Sequence, residues 1–406
     1  MNAPIPASAL PAVQASDLAA LPLIEKWISF ASVSRDSNLP IIEWTQNYLE
    51  ALGIECSRTY DDSGLKANLW ATLPADNGET KIGGLVLSGH TDVVPVDGQP
   101  WDTDPFVAQV IGDRLYGRGV TDMKSYGATA LLMVPELLKR KLKRPVHLAF
   151  SYDEEVGCIG VRRLIADMLA QGFKPAGCIV GEPTGMQVVV AHKGKHAYKT
   201  SVRGFEAHSS LTPQGVNAVE IACEFVAYLK SMHRQLVKEG PFDPIYDVPH
   251  TTIHTGVIHG GTALNIIPRD CDVTWEIRHH HMNSPEALFA QAKAFADNLL
   301  PAMQAVAADT GITHQLNSVL PGFATEADSE IARLCFSCAG SDSSSAAGKV
   351  SFGTEAALFH QAGVPTIVCG PGHIAQAHQP NEWVELAQLA WCERFMRRLA
   401  DQICVN

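Results

Sequence analysis

The sequence has no long hydrophobic run and no excess of basic residues. None of its apolar stretches approaches the roughly 20 residues that a membrane-spanning helix needs. Its 31 Lys and Arg against 43 Asp and Glu give a formal charge of −12, which disfavours nucleic acids and anionic membranes as partners. The opening M-N-A-P-I-P-A-S-A-L-P-A lacks the basic start and compact apolar core of a signal peptide. We therefore expect a cytoplasmic protein.

Several sequence features fall short of a functional motif. Gly117-Arg-Gly119 lacks the third glycine and the strand–helix context of a dinucleotide-binding fingerprint, which disfavours an oxidoreductase. The ten cysteines are scattered, and the lone pair Cys335 and Cys338 falls in a helical pattern. We expect small buried side chains rather than disulfides or a zinc site. The run His279–His281 lies between a predicted strand and a predicted helix, and we interpret it as a solvated turn.

The alternation of apolar patterns predicts an α/β fold, a parallel-rich sheet sandwiched by helices. A chain of 406 residues favours two domains. The predicted strands are Gly84–Ser88, Val146–Ser151, Gly177–Gly181 and Thr366–Gly370. The predicted helices include Leu18–Ser32, Ile41–Leu52, Met123–Lys139 and Val161–Gln171. The Ser-rich stretch Ser341–Gly348 is expected to be a loop, either a connector or part of a substrate-facing loop.

The pattern changes over residues 193–319, where the element order becomes βαββαβ. The predicted elements are strand His196–Val202, helix Val216–Leu236, strands Thr252–His259 and Cys271–Arg278, helix Pro285–Ala305 and strand Ile312–Val319. This order is the ferredoxin-like split motif. We therefore predict an α+β ferredoxin-like domain, residues 193–319, inserted into a main domain made of residues 1–192 and 320–406.

Histidines and acids follow the strands of the main domain. One strand runs into Gly89-His90-Thr91-Asp92, the next into Asp153-Glu154-Glu155, another into Glu182 and the last towards His378, while Asp122 ends a Gly-rich turn before a helix. Sites in open parallel sheets form at the carboxyl ends of the strands. Imidazole and carboxylate groups are ligands for a borderline metal such as zinc. Together these endings predict a metal site.

The charges of the candidate ligands favour two ions. The candidate ligands are His90, Asp122, Glu155, Glu182 and His378. Three carboxylates over-neutralise one divalent ion, whereas two ions are balanced by three carboxylates and a bridging hydroxide. Adjacent residues at a strand end point in different directions, so one of Glu154 and Glu155 binds metal and the other is free to take a proton from water. Asp92 is suitably placed to hold the other ring nitrogen of His90.

Five sequence blocks resemble the di-zinc aminoacylase and carboxypeptidase family. They are G-H-T-D-V-V-P, G-R-G-V-T-D-M-K, D-E-E-V-G, G-E-P-T and Q-A-H-Q-P, and they come in the family's order from about His90 to the C-terminus. The resemblance implies a zinc exopeptidase-like fold and a metal-dependent amidohydrolase. It also implies two divalent ions, with zinc first and cobalt as a further choice, because both accept nearly the same ligands.

The resemblance also implies a role for each residue of the site. His90 and Glu182 would bind one ion, Glu155 and His378 the other, and Asp122 would bridge them. Glu154 would be the general base and Asp92 would orient His90. A cis peptide bond would fall at Asp122–Met123.

In the resembling family the inserted domain forms a homodimer and acts as a lid. His208, in G-F-E-A-H-S-S, matches a histidine that reaches the neighbouring subunit's site and stabilises the oxyanion. Asn265 and Arg278 match positions that face the substrate, where an Arg can bind both oxygens of a carboxylate.

The segment S-F-G-T-E-A, residues 351–356, most resembles the acetylornithine deacetylases of the family. Thr354 and Glu355 are therefore candidate substrate contacts, with Glu355 either pairing with a substrate ammonium or acting as a structural acid. We expect hydrolysis of N-acetyl-L-ornithine to L-ornithine and acetate, a step of arginine synthesis. The alternatives are another N-acyl amino acid, such as succinyl-diaminopimelate or an acylmethionine, a dipeptide, or a catalytically inactive metal-binding relative.

Overall fold

The computed structural model describes residues 13–340 and 347–405. The opening twelve residues and most of the predicted loop Ser341–Gly348 lie outside this part. The chain divides into two compact units. The first comprises Met1–Ala191, Phe323–Lys349 and Thr354–Asn406, and the second His192–Gly322 and Val350–Gly353. Within the described residues, no helix combines the length and the apolar character needed to span a bilayer.

The helices of the described residues are α1 (Leu21–Ile28), α2 (Leu39–Ala51), α3 (Lys124–Leu137), α4 (Ile159–Ala170), α5 (Ala218–Glu239), α6 (Pro285–Val306), α7 (Glu330–Ala339), α8 (Ala356–Gln361) and α9 (Leu386–Ile403). The strands are β1 (Cys56–Tyr60), β2 (Ala67–Leu73), β3 (Leu85–His90), β4 (Gln109–Ile111), β5 (Arg114–Tyr116), β6 (Val146–Ser151), β7 (Gly177–Pro183), β8 (Val189–His192), β9 (Gly194–Arg203), β10 (Thr252–Gly260), β11 (Asp270–His279), β12 (Gly311–Leu320), β13 (Phe323–Ala324), β14 (Gly348–Val350), β15 (Thr366–Gly370) and β16 (Trp383–Glu385).

The first unit is built on a large mixed sheet. Among the described residues the strand order is β1-β2-β6-β3-β7-β15-β8-β13, with β14 paired to β8. The central strands β6, β3, β7 and β15 run parallel to their neighbours in this series. All residues of these four strands are buried, which agrees with their mainly apolar sequences. The carboxyl ends of four parallel strands therefore meet at one edge.

Two glycines, one in α3 and one in β7, leave space for large aromatic side chains that pack between the helices and the sheet. A Cβ on Gly127 would come within 2.2 Å of the Trp27 ring, and a Cβ on Gly181 of β7 within 1.9 Å of Tyr126. Trp27 and Tyr126 are both buried, at 0% and 1% exposure. Because only glycine leaves this space, α3 lies close to β7, and its N-terminal end is held near the edge of the sheet.

The second unit has the predicted βαββαβ order. Its sheet order is β10-β11-β9-β12, and each neighbouring pair is antiparallel. Helix α5 buries residues at alternating spacings of four and three, namely Ala218, Ala222, Phe225, Leu229, Met232 and Leu236. The Asn217 side chain caps this helix by accepting from the backbone N–H groups of Val219 and Glu220. The predicted fold class is confirmed: a parallel-rich sheet with flanking helices and an inserted ferredoxin-like unit.

Several local predictions were incomplete or wrong. Strands β1 and β2, which extend the sheet in antiparallel fashion, were missed, and so was the small sheet of β16, β5 and β4. The prediction of a solvated turn at His279–His281 was wrong for the first two residues, because His279 ends β11 and His280 is only 1% exposed. His281 is exposed and lies in a turn, as predicted. His280 binds the Pro241 carbonyl through Nε2. Most cysteines are buried, including Cys335 and Cys338 in α7, but Cys223 is exposed.

Candidate metal centre

Three neighbouring strands bring the candidate ligands together. His90 is the last residue of β3, Glu182 lies near the end of β7, and Asp153–Glu155 follow β6. Strand β3 lies between β6 and β7 and is parallel to both. Their carboxyl ends therefore place imidazole and carboxylate groups side by side, as the sequence predicted.

Asp122 lies between two imidazole rings. Its Oδ1 is 3.0 Å from Nε2 of His90, and its Oδ2 is 3.2 Å from Nε2 of His378. The peptide bond between Asp122 and Met123 is cis, as the family resemblance implies. Because the two oxygens face different rings, this carboxylate has the geometry to bridge two ions.

Two further carboxylates, those of Glu182 and Glu155, each lie close to one of the two histidine rings. Oε1 of Glu182 is 3.8 Å from Nε2 of His90, and Oε2 of Glu155 is 3.0 Å from Nε2 of His378. A ligand atom from each of His90, Glu154 and Glu182 lies within 4.8 Å of the others, and the same holds for His90, Asp122 and Glu155. The structure thus brings six of the candidate residues into one cluster.

The surroundings of the acids fit a divalent cation. Burial raises the pKa of Glu154 to about 8, with Glu155 and Asp122 adding to the effect and His90 opposing it. Burial and the charge of Asp122 raise the pKa of Glu155 to about 7. Oε1 of Glu155 is buried and has no hydrogen-bond partner among the described residues. Crowded, desolvated carboxylates with an unsatisfied oxygen are the environment that a metal ion stabilises.

The two histidines supply the positive charge that offsets these acids. Hydrogen bonds with Asp122 and Glu155 raise the pKa of His378 to about 10. Burial acts to lower the pKa of His90, but its hydrogen bond with Asp122 and the charge of Glu182 raise it well above its usual value. A metal ligand must be a neutral imidazole, so an ion entering this cluster would displace those protons.

Asp92 lies against the ring nitrogen of His90 that faces away from Asp122. Nδ1 of His90 lies 2.9 Å from the backbone oxygen of Asp92 and 3.6 Å from its carboxylate. The carboxylate accepts from the Ser34 hydroxyl at 2.6 Å and from the backbone N–H of Glu154 at 3.1 Å. The shorter contact to the ring thus comes from the main chain, while the side chain binds the loop that carries Glu154, and the orienting role predicted for Asp92 stays a prediction.

The chain matches known proteins over most of its length. Residues 86–402 match the model of peptidase family M20/M25/M40. The acetylornithine deacetylase of Aliivibrio fischeri strain MJ11 is 34% identical over 371 residues, which cover 89% of this chain and 92% of that protein. The acetylornithine deacetylase of Photorhabdus laumondii is 30% identical over 381 residues, covering 93% and 94%.

The chain belongs to peptidase family M20/M25/M40. The predicted family membership is confirmed, and with it a metal-dependent hydrolase.

Solved structures of the M20 family share the fold. A Staphylococcus aureus tripeptidase aligns with a TM-score of 0.72 and 19% identity, covering 95% of this chain and 97% of the other. A metallo-carboxypeptidase of Sulfolobus solfataricus gives 0.71 and 17%, covering 94% and 98%. A Bacillus subtilis protein described as a dinuclear metal-binding peptidase gives 0.64 and 15%, covering 95% and 98%.

Two predicted substrate contacts of this M20 enzyme are buried. Thr354 and Glu355 are both 0% exposed. The oxygens of Glu355 accept from the Ser88 and Ser151 hydroxyls, at 2.6 and 2.7 Å. The two oxygens of Glu355 thus link Ser88 of β3 to Ser151 of β6. This geometry fits a structural acid, which is the second of the two roles predicted for Glu355.

The remaining predicted residues belong to the second unit. His208 is exposed, and its Nδ1 lies 2.8 Å from the Ser210 hydroxyl. Asn265 is also exposed, and its backbone oxygen accepts from Ser209 at 3.1 Å. Nε of Arg278 donates to Glu276 at 2.8 Å. The catalytic and substrate-binding roles predicted for these residues stay predictions.

The sequence reasoning missed a thiol beside the proposed base of the M20 centre. Sγ of Cys158 donates to Oε1 of Glu154 at 3.1 Å. Cys158 is 2% exposed and has a left-handed backbone, with φ at 53°. A non-glycine residue in this conformation merits attention near a functional site. Its position directly after the D-E-E-V-G block was the available signal.

Proposed function

We propose that this enzyme hydrolyses the amide bond of N-acetyl-L-ornithine, giving L-ornithine and acetate for arginine synthesis. The observation that carries the hydrolytic chemistry is the pair of imidazoles on either side of Asp122, each with a second carboxylate close by. The named relatives and the S-F-G-T-E-A segment support the substrate. We also propose a cytoplasmic protein.

The proposed ligands fall into two sets that share Asp122. His90 and Glu182 would bind one ion, Glu155 and His378 the other, and Asp122 would contribute one oxygen to each. Zinc suits a site of imidazole and carboxylate groups, and cobalt is a further choice. Two such ions would supply a polarised amide carbonyl and a water acidic enough to ionise at neutral pH.

Glu154 is the proposed general base. It lies in the cluster with His90 and Glu182, and it is not needed as a ligand in the proposed sets. Its carboxylate would take a proton from the attacking water and give it to the leaving amine.

We further propose a homodimer formed through the second unit, in which His208 stabilises the oxyanion at the site of the neighbouring subunit. Asn265 and Arg278 are proposed to face the substrate, with the Arg278 guanidinium binding the carboxylate of the acyl amino acid. These assignments come from the resemblance of G-F-E-A-H-S-S, A-L-N-I-I-P and W-E-I-R to family motifs.

A second candidate function is hydrolysis of another N-acyl amino acid or of a dipeptide. The burial of Glu355 favours this candidate, because the side chain is 0% exposed and each of its oxygens already accepts a hydrogen bond from a serine hydroxyl. The metal chemistry and the role of Glu154 are the same for either substrate.

The test is release of free amine by the metal-loaded protein from a panel of substrates, with chelator-treated protein as control. The panel contains N-acetylornithine, N-succinyl-diaminopimelate, N-acetylmethionine and a dipeptide. Preference for N-acetylornithine supports the proposal, and preference for another amide supports the second candidate. Absence of hydrolysis on the whole panel would contradict both and favour an inactive metal-binding relative.

A further inference from the structure

Glu382 carries a buried carboxylate whose hydrogen bonds converge on the turn before Asp122. Its two oxygens accept from Nη1 of Arg118 at 2.8 Å and from the backbone N–H groups of Gly119, Thr121 and Asp122 at 3.0, 2.8 and 3.1 Å. Glu382 and Arg118 are each 1% exposed. A carboxylate that binds three peptide donors within the four residues from Gly119 to Asp122 fixes the path of the backbone into Asp122.

The same network reaches the segment that carries His378. Nη2 of Arg118 donates to the side-chain oxygen of Gln99 at 2.6 Å, and Nε2 of Gln99 donates to the backbone oxygen of His378 at 3.2 Å. Glu382 itself follows His378 closely in the chain, and its backbone oxygen accepts from Gly117 at 3.0 Å. The backbones of Asp122 and His378 are thus both held by one hydrogen-bonded group, which consists of Glu382, Arg118 and Gln99.

We propose that Glu382 is a positioning residue that sets the separation of Asp122 and His378. The inference rests on the proposed metal centre, in which these two residues share one ion. The Asp122 backbone is bound by Glu382 directly, and the His378 backbone is held through Arg118 and Gln99. Asp122 is shared by both ions, whereas His378 belongs to one. Loss of the Glu382 charge should therefore weaken the ion held by Glu155 and His378 more than the ion held by His90 and Glu182.

A simpler interpretation is that Glu382 and Arg118 form an ion pair that only stabilises the fold. Removing one partner of a buried pair leaves the other charge uncompensated, which is strongly destabilising wherever the pair lies. Stability alone therefore does not distinguish the two interpretations. The affinities of the folded protein for its two ions do distinguish them, because loss of an ion pair that is only structural should not weaken one ion more than the other.

The experiment uses Glu382→Gln, which keeps the side-chain volume but places an amide NH2 group near backbone N–H donors. Metal-free wild type and variant are titrated with Zn²⁺ in competition with a chromogenic chelator. We expect two ions for the wild type, and one tight ion plus a second bound at least ~10-fold more weakly for the variant. Two ions at wild-type affinity in folded Glu382→Gln, or equal weakening of both, would overturn the proposal.

Glu393→Gln is the matched control. Glu393 is also buried, at 2% exposure, and accepts from the Ala20 backbone N–H at 2.8 Å and from Arg397 at 3.1 Å. It lies in α9, so its loss should lower stability and leave both ions at wild-type affinity. Weakening of one ion by this variant as well would assign the effect to general loosening of the fold and overturn the proposal.

Gln99→Ala covers the case in which Glu382→Gln does not fold. Gln99 is only partly buried, and its loss cuts the link to His378 while leaving Glu382 in place. We expect the same selective weakening of one ion, and wild-type affinity for both would overturn the proposal. A wild type that binds fewer than two ions would instead contradict the proposed metal centre, so the two failures are distinguishable.

Discussion

At the scale of single residues, Glu154 is the group on which the proposed chemistry depends most. We predict that Glu154→Gln keeps both ions, because Glu154 is not in the proposed ligand sets, and loses about 10²–10⁴-fold in turnover, because the amide cannot carry a proton. The measurement is kcat together with metal content. Near wild-type turnover would refute the role of general base, and loss of one ion would show that Glu154 is a ligand.

Cys158 gives a second prediction at this scale. Its thiol donates to Glu154, and Ser retains a donor of similar size, whereas Ala does not. We predict that Cys158→Ser keeps several-fold more turnover than Cys158→Ala. The measurement is kcat for both variants, with the thermal stability of each variant measured beside it so that a difference in folding is not mistaken for a difference in turnover.

If Cys158 only fills space, the order should be reversed. Ala would then be at least as active as Ser, because it introduces no polar group into a buried site. The two outcomes differ in sign, so the comparison is decisive even when both variants lose some activity.

The candidate ligands could be predicted from the sequence because each follows a recognisable strand or turn. His90, Glu155 and Glu182 come directly after apolar runs, and their chemistry is visible in the residue type. Glu382 could not be found in this way. Its partners, from Gly119 to Asp122, lie far away in the chain, and an acid after Asn381 has no local pattern that distinguishes it from a surface residue.

At the scale of secondary-structure elements, Glu355 joins β3 to β6 through Ser88 and Ser151. We predict that Glu355→Gln lowers the free energy of unfolding by about 1–3 kcal/mol, because one serine then loses its acceptor. The ratio of kcat/KM for N-acetylornithine to that for N-acetylmethionine should stay unchanged, since the side chain is buried.

Ser88→Ala is the control, because it removes one of the two bonds and should lower stability in the same direction. A tenfold or greater fall in the kcat/KM ratio for Glu355→Gln would show instead that Glu355 recognises the substrate ammonium. That outcome would restore the first of the two roles that the sequence suggested.

The pairing of β2 with β6 makes a pH-dependent contribution to the free energy of unfolding. His147 on β6 lies opposite Thr72 on β2, is 0% exposed and stacks on Trp70 at 4.8 Å. Burial lowers its pKa to about 4. In the unfolded chain this histidine has a pKa near 6.5 and binds the proton more readily than in the folded protein. The stability that the neutral His147 ring contributes is therefore complete above about pH 6.5 and is lost as the pH falls towards 4.

We predict that protonation of His147 lowers the free energy of unfolding by about 3 kcal/mol between pH 6.5 and pH 4. His147→Phe should therefore show a shallower fall in the free energy of unfolding between pH 6.5 and 4, measured by denaturant titration. The exposed residue His254 supplies the control variant, His254→Phe, whose pH profile should follow the wild type. Equal slopes for wild type and His147→Phe would contradict the assignment.

The elements themselves were predictable to different degrees. Strands β3, β6, β7 and β15 were found because burial on both faces demands continuous apolar runs. Helix α5 was found because its buried residues follow the helical period. Strands β4, β5 and β16 have only three residues each, and β1 is a half-exposed polar segment. Strands β4 and β5 pair with each other and β1 pairs with the next strand β2, but segments so short or so exposed carry no apolar run. Strand β16 pairs with β5, which is distant in the chain, and no local pattern records that pairing.

At the scale of the whole molecule, the proposed dimer can be tested by mixing subunits. If His208 acts at the site of the partner subunit, a mixture of His208→Ala and Glu154→Gln chains should regain activity that neither parent has. One of the two sites in the mixed dimer would combine an intact Glu154 with an intact His208. A mixture no more active than its parents would mean that His208 acts within its own chain or has no catalytic role.

The metal ions should also govern global stability. The acids of the cluster are buried or partly buried and lie close together, so ion binding to the folded chain relieves their repulsion. Each ion at 100 times its dissociation constant should add about 2.7 kcal/mol. We predict a higher Tm after addition of Zn²⁺ to chelated protein, followed by calorimetry. An unchanged Tm would contradict tight binding to this cluster.

The order of strands in the large sheet has a consequence for synthesis of the chain. Strand β15 lies next to β7 in the sheet, yet the whole second unit is translated between them. A ribosome therefore delivers a complete ferredoxin-like unit before the central sheet of the first unit can close. His378 and Glu382 emerge last of the residues around the proposed centre. The growing chain carries its cluster of acids without these two partners for most of translation, and it becomes able to hold both ions only as synthesis ends.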